Sequence, residues 1–184
     1  SISGTIGMGD SKTVISKVLT FDEIVEAIAK DSQISKAKAA NQVITNFAKD
    51  TKRSALTVKA AAARATYRTI SSGFTVTSEY KPIMRFYCET SEGGSFHGIV
   101  KILTVNMIRK YNDMTKQFGG TVYTNLEDAN SIYYIVNGDF YNNGTTTGGG
   151  GVNIGVGEGV SLNFNLSYSS NEYAYCYAEE HCAF

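Results

Sequence analysis

The sequence is short of the residues on which several classes of protein depend. Its three cysteines allow at most one intramolecular disulfide, which excludes a disulfide-built scaffold. No run of about 18 apolar residues occurs, so the sequence predicts no transmembrane helix. His97 has no serine or aspartate around it in a nucleophile pattern, and the spacing around His181 matches no standard metal site. We therefore expect no catalytic residues, no metal, no cofactor and no enzymatic activity.

The residues that are abundant are typical of exposed β-structure. Glycine occurs 18 times and tyrosine 12 times, whereas proline occurs once and tryptophan is absent. Aromatic and β-branched residues favour pleated surfaces, and glycine and asparagine favour tight turns. Hydrophobic residues make up 42% of the chain and charged residues 18%, which is enough apolar surface to bury a core. The composition thus predicts a folded, strand-rich chain.

The net charge is zero, but it is unevenly distributed. Residues 1–75 hold 11 Lys/Arg against 6 Asp/Glu, and residues 76–184 hold 6 against 11. These opposite balances would favour contacts within one molecule or between neighbouring copies. A protein that binds phosphate backbones is expected to carry a strong basic excess. We therefore expect no nucleic-acid partner.

The first third of the chain predicts helices. Thr20 and Glu23 have the spacing of a capping box, and apolar residues then recur at helical intervals. Residues 21–47, FDEIVEAIAKDSQISKAKAANQVITNF, resemble the opening helix pair of bacterial histone-like HU proteins. The β-arm and basic hook of that family have no counterpart here, so the resemblance implies a helix pair alone. Residues 55–65 are rich in alanine and extend the helical segment.

From about Tyr67 the hydrophobic period changes from 3.6 residues to 2. Met84, Phe86 and Cys88 alternate with polar residues, and residues 99–105 predict a strand covered on both faces. We predict an α+β fold: an N-terminal helical segment followed by an antiparallel β-sandwich, jelly-roll or Ig-like, with an N-terminal amphipathic strand. The predicted division is an N-terminal strand or arm at 1–19, a helical segment at 20–66 and an antiparallel β-sandwich at 67–184.

Two hairpins are predicted in the second half. Asn137-Gly138 lies between two apolar runs and is a type I′ turn signal, because both turn positions need a positive φ. Residues 148–168, GGGGVNIGVGEGVSLNFNLSY, alternate apolar and small residues on both sides of Gly157-Glu158-Gly159, which predicts an amphipathic hairpin. Such a hairpin packs on a sheet core, or it inserts into a membrane in a pore-forming toxin. Because its first arm is short for a spanning strand, membrane insertion is not expected.

The N-terminal sequence SISGTIGMG has the same alternation at a chain end. Ile2, Gly4, Ile6 and Met8 share one face of the predicted strand. A terminal amphipathic strand pairs at the edge of its own sheet, or it inserts as a donor strand into the next copy of the chain. The chain begins at Ser1 without a methionine, which suits a mature product after signal cleavage. We predict a secreted, non-enzymatic structural protein that assembles with copies of itself into an extracellular filament or oligomer.

The C-terminal region offers two further features. Tyr173, Tyr175 and Tyr177 alternate with small residues and predict an aromatic row, which packs across strands or binds cell-surface glycans. The alternative function is therefore a surface adhesin or a carbohydrate-binding module. A disulfide is predicted either between Cys176 and Cys182 or between Cys88 and one of these two.

Overall fold

The computed structural model describes residues 2–5, 13–48 and 54–184, the first four by their backbone alone. It is built mostly of antiparallel strands with three helices, as the composition and periodicity predict. The helices are α1 (Phe21–Ser32), α2 (Lys36–Ala48) and α3 (Ala55–Arg64). The strands are β1 (Ile2–Thr5), β2 (Thr13–Ser16), β3 (Thr66–Gly73), β4 (Ile83–Gly93), β5 (Phe96–Ile108), β6 (Lys110–Tyr111), β7 (Met114–Thr115), β8 (Gln117–Asp128), β9 (Ser131–Gly148), β10 (Gly150–Gly155) and β11 (Gly159–Ala183).

Two sheets account for most of these strands. One sheet has six strands in the order β1-β2-β3-β4-β5-β10, and every neighbouring pair is antiparallel. The other is a closed arrangement of three long strands, β8, β9 and β11. The first part of β11 pairs with β8, and the remainder pairs with β9. The long, curved β11 therefore closes the second sheet on itself.

The two sheets share one apolar core. The predicted row of Met84, Phe86 and Cys88 on β4 is fully buried in it, which confirms the period-2 alternation of this segment. The second sheet contributes a matching row of buried residues to the same core: Phe118, Val122, Leu126, Ile132, Tyr134, Val136, Phe140, Phe164, Cys176 and Cys182. Burial of this continuous apolar surface is the main favourable term in folding.

The helices cover the opposite face of the six-stranded sheet. Ile24, Ile28 and Val43 lie in a second core with side chains from the strands, including Leu103 of β5. Since Ile102 lies in the core between the sheets, β5 is covered on both faces, as predicted. The capping box of α1 is also confirmed, because the Thr20 hydroxyl oxygen accepts from the Glu23 amide at 3.2 Å and the Thr20 amide donates to the Glu23 carboxylate at 2.9 Å.

The predicted hairpin at Asn137-Gly138 is wrong. Both residues lie inside β9, where they pair with Thr121 and Gly120 of β8. A Cβ atom on Gly138 would lie 2.3 Å from the carbonyl oxygen of Gly119. Gly138 is thus required by the close approach of two strands rather than by a turn.

The segment 148–168 is not a hairpin either. Its two arms belong to different sheets, because β10 pairs with β5 and β11 pairs with β8. Glu158 makes the bend between them: its carboxylate accepts from the Gly155 amide at 2.6 Å, and its carbonyl oxygen accepts from the Leu126 amide at 3.0 Å. The alternation correctly predicted that Ile154 and Phe164 are buried, but Val156, which the pattern puts on the same face as Ile154, is 53% exposed. It did not predict the partner strand of either arm. The pore-forming alternative depended on this hairpin, so it has no structural support here.

The predicted division at 1–19, 20–66 and 67–184 stays a prediction. β1 and β2, from the predicted arm, are strands of the same sheet as β3. The helical segment is thus an insertion between two neighbouring strands of one sheet, and it ends at Arg64 because Thr66 already begins β3. None of the helices in the described parts of the chain is long and apolar enough to cross a membrane.

Candidate functional site

The outer face of the three-stranded sheet carries a group of aromatic side chains. Alternate residues of β8, β9 and β11 fill the core, so the residues between them point away from it. We define the tyrosine face as Tyr123, Tyr133, Tyr175, Tyr177 and His181. Tyr175 and Tyr177 are 57% and 54% exposed, which is unusual for large side chains. Tyr123 and Tyr133 are partly buried, and His181 is exposed.

Contacts within the tyrosine face hold its side chains in place. The rings of Tyr123 and Tyr133 meet edge to face with centroids 6.4 Å apart, and the Tyr133 ring lies 4.7 Å from that of His181. The Tyr175 hydroxyl donates to the Asn137 side-chain oxygen at 2.6 Å. Rings that are already positioned lose little conformational entropy when a partner binds.

The tyrosine face is bordered by carboxylates. The Tyr133 hydroxyl donates to the carboxylate of Glu179, and this hydrogen bond raises the pKa of Tyr133 to about 12. Glu127 lies 3.6 Å from His181 Nε2. Apolar ring faces beside hydroxyls and carboxylate acceptors suit a hydroxyl-rich ligand such as a sugar.

Tyr173 is not part of this face, so the predicted row of three tyrosines is wrong at that position. β11 has one extra residue against β9 between Glu172 and Ala174, and this bulge turns Tyr173 inward. Its ring centroid lies 5.8 Å from that of Tyr80, and its hydroxyl is 2.7 Å from that of Thr77. Tyr173 therefore contributes to the core edge rather than to a binding surface.

Sequence reasoning missed Tyr123, Tyr133 and His181 as members of the face. Each of them alternates with the buried residues of its own strand, so its outward direction follows once those buried residues are known. What the sequence did not show is that β11 pairs with β9 and brings His181 opposite Tyr133.

The predicted assembly strand lies partly within the described residues. Ile2 and Gly4 belong to β1, which pairs with β2 at the edge of the six-stranded sheet, Gly4 opposite Ile15. Ile6 and Met8 lie outside the described residues. The described part of the strand therefore pairs with its own chain and forms a sheet edge.

The three cysteines are buried and none is in a disulfide. The predicted Cys176–Cys182 bridge is wrong because both residues lie on β11, six residues apart and about 20 Å along an extended strand. Burial raises the pKa of Cys88, with a further contribution from the nearby Cys182, and burial raises that of Cys176 to about 11. A bridge from Cys88 stays a prediction.

The two C-terminal cysteines and His181 lie on opposite faces of β11, so they cannot act together as ligands or catalytic groups. Cys176 and Cys182 point into the core, whereas His181 is exposed. Within the described ranges, no three His, Cys, Asp or Glu side chains lie close enough together to hold a metal ion.

Comparisons with protein-family models, with curated proteins and with solved structures found no match to this chain.

Proposed function

We propose that this is a secreted, non-enzymatic structural protein that assembles with copies of itself by exchange of β1. The observation that carries the proposal is that β1 lies at the edge of the six-stranded sheet, where β2 is its one neighbour among the described strands. Residues 6–12 separate the two strands along the chain. An edge strand joined to its sheet by a connecting segment is the kind of element that proteins exchange between copies.

Exchange would conserve the contacts that β1 makes. If β1 left its own sheet, the outer backbone groups of β2 would lose their partners, and an unpaired edge recruits another strand. The β1 of a second copy has the same sequence and can form the same pairs, such as Gly4 opposite Ile15. Reciprocal exchange gives a closed dimer, whereas head-to-tail exchange gives an extracellular filament.

The exchanged strands β1 and β2 both lie within residues 1–75, so the uneven charge distribution would act only through a further contact between copies outside this pair. Residues 1–75 carry the basic excess and residues 76–184 the acidic excess. A head-to-tail contact that brings the first part of one copy to the second part of the next would therefore be electrostatically favourable. We expect assembly to weaken as ionic strength rises.

A synthetic peptide tests the proposed exchange. Excess SISGTIGMG, the sequence of residues 1–9, added to the full chain is expected to shift the assemblies to smaller species, because the peptide would cap β2 edges. Sedimentation velocity measures the size distribution. The control is a peptide of the same composition in scrambled order. An identical distribution with both peptides would contradict exchange through β1.

We also propose a sandwich arrangement of the two sheets. The core that they share and the bend at Glu158, which carries the chain from one sheet to the other, support it. The strands β1 to β5 follow chain order, which favours a meander over the Greek key of jelly-roll and Ig-like sandwiches.

A second candidate function is glycan binding at the cell surface through the tyrosine face, as in an adhesin. The observation that favours it is the pair of exposed rings, Tyr175 and Tyr177, beside hydroxyl and carboxylate groups. Flat aromatic surfaces with hydrogen-bonding groups at their edges are efficient recognition sites.

Substitution of one tyrosine tests this second candidate. On a glycan array, Tyr175→Ser is expected to lower binding of the best glycan by about tenfold or more, as a central aromatic contact does. The matched control is Tyr168→Ser, because Tyr168 lies on the same strand, is 91% exposed and is not part of the face. Glycan binding through the tyrosine face would be contradicted if both variants lost the same amount of binding, or if the unaltered protein bound no glycan.

A further inference from the structure

A cavity of about 640 Å³ lies between the helices and the end of the six-stranded sheet, away from both β1 and the tyrosine face. The end of α1, one side of α2, the end of β5 and the glycine turn between β9 and β10 surround it. Its volume is in the range of about 300–1,000 Å³ that small-molecule sites occupy. Neither proposed function uses it.

The cavity has an excess of positive charge. Lys38, Arg109 and Lys110 line it, and no carboxylate in the described ranges lies within 4.0 Å of their side-chain nitrogens. Asp31 is the acidic residue in the lining, and its Oδ2 already accepts from Arg85 at 2.8 Å and from the Tyr87 hydroxyl at 2.6 Å. The three cations therefore have no counter-charge from Asp31.

Arg109 is the most informative of these cations. Its guanidinium is held by two neutral acceptors, the Lys116 carbonyl oxygen at 3.1 Å and the Gln117 side-chain oxygen at 3.2 Å. Burial lowers the pKa of Arg109, and no carboxylate of the described residues offsets this cost. A partly buried guanidinium without an anionic partner is uncommon, because a buried charge is costly unless it is paired. An anion in the cavity would supply the missing partner.

The cavity also has an acceptor without a donor. The Gln42 side-chain oxygen is buried and has no hydrogen-bond partner among the residues that the structure describes. If the Gln42 side chain turned toward the cavity, a hydroxyl or N–H group of a ligand would satisfy this oxygen. Its presence in a lining with three cations points to a ligand that carries both a negative charge and a hydroxyl group.

The glycine turn forms one wall of the cavity. Gly148, Gly149 and Gly150 have φ values of +131°, +75° and +94°, which side chains rarely adopt. A Cβ atom on Gly149 would lie 2.8 Å from the Val105 carbonyl oxygen, whereas one on Gly150 would meet nothing within 4 Å. The run of glycines in this sequence therefore keeps backbone rather than side chains at the cavity wall.

We propose that this cavity binds a small sugar that carries a carboxylate or a phosphate. The anionic group would lie among Lys38, Arg109 and Lys110, and a sugar hydroxyl would donate to the Gln42 oxygen. Cation-assisted hydrogen bonds supply the affinity, and the unpartnered oxygen supplies a preference for a hydroxyl-bearing anion. The site is independent of strand exchange, so each proposal can fail without the other.

Calorimetric titration of the full chain with four probes tests the site. Glucuronate and glucose 6-phosphate carry both features, glucose lacks the charge and inorganic phosphate lacks the sugar. We expect one of the two anionic sugars to bind with a Kd of about 1 mM or tighter, and glucose and phosphate to bind at least about tenfold more weakly. If glucuronate binds more tightly, the site prefers a carboxylate; if glucose 6-phosphate does, the site prefers a phosphate. Equal binding of glucose or of inorganic phosphate, or no binding of either anionic sugar, would overturn the proposal.

Variants locate the binding in the cavity. Lys38→Gln and Lys110→Gln alter exposed side chains, so they are expected to fold and to weaken the anionic sugar by about fivefold to tenfold each. Lys59→Gln on α3 is the matched control, because Lys59 is equally exposed and does not line the cavity. Unchanged affinity in both cavity variants, or an equal loss in Lys59→Gln, would overturn the assignment of the site.

Discussion

Gly138→Ala is expected to destabilise the fold by about 3 kcal/mol or more. Gly138 and Gly120 lie opposite each other on β9 and β8, and a Cβ on Gly138 would lie 2.3 Å from the Gly119 carbonyl oxygen and 2.8 Å from the Gly120 Cα. Backbone atoms of a paired strand cannot move away without breaking the ladder between the two strands. Urea-induced unfolding, followed by circular dichroism, measures the loss as a shift of the midpoint.

Gly93→Ala is the matched control for this prediction. Gly93 also lies in a strand, and a Cβ there would meet nothing within 4 Å. The change removes backbone freedom from the unfolded chain, so stability is expected to stay within about 1 kcal/mol of the original. If Gly138→Ala unfolded at the same midpoint as Gly93→Ala, the close approach of β8 and β9 would be refuted.

Phe140→Ala is expected to cost about 3–5 kcal/mol, because it removes a large ring from the centre of the core. Phe140 is fully buried, and its ring centroid lies 4.8 Å from that of Phe118, 5.7 Å from that of Tyr80 and 6.3 Å from that of Phe74. The cavity left behind would separate the Phe118 ring of β8 from the Phe74 and Tyr80 rings, which lie in the connection between β3 and β4. Thermal and urea unfolding both measure the effect.

The control is Phe96→Ala, which removes the same ring from a surface position. Phe96 is 52% exposed, so its loss is expected to change stability by less than about 1 kcal/mol. Equal destabilisation by Phe140→Ala and Phe96→Ala would contradict the burial of Phe140 in the core.

Local patterns in the sequence predicted local features of the fold. The capping box needs only Thr20 and Glu23, three positions apart, and the alternation of Met84, Phe86 and Cys88 follows from one strand with one buried face. Both are properties of a short segment, so no knowledge of distant residues is needed to predict them.

Features that depend on strand pairing could not be predicted in this way. Asn137-Gly138 has the local chemistry of a turn, but its pairing with β8 keeps it extended. The segment 148–168 has alternation in both arms, and alternation shows which residues are buried without showing which strand lies alongside. Tyr173 leaves its predicted face because of one extra residue in β11, and nothing in the sequence near it marks that bulge.

The candidate sites show the same limit. Two of the five residues of the tyrosine face, Tyr175 and Tyr177, are close in sequence and were predicted, whereas Tyr133 joins them only through the pairing of β9 with β11. The cavity brings together Lys38 of α2, Arg109 after β5 and the glycine turn at 148–150. Residues so far apart in the chain share no spacing that a sequence pattern could reveal.

The central claim, assembly through the N-terminal strand, is tested most directly by comparing the full chain with a version that lacks residues 1–9. Size-exclusion chromatography and electron microscopy at the same protein concentration measure the assemblies, and circular dichroism checks that both chains are folded. We predict filaments or large oligomers for the full chain and monomers for the shortened one. Monomers in both samples, or equal assemblies in both, would contradict assembly through this strand.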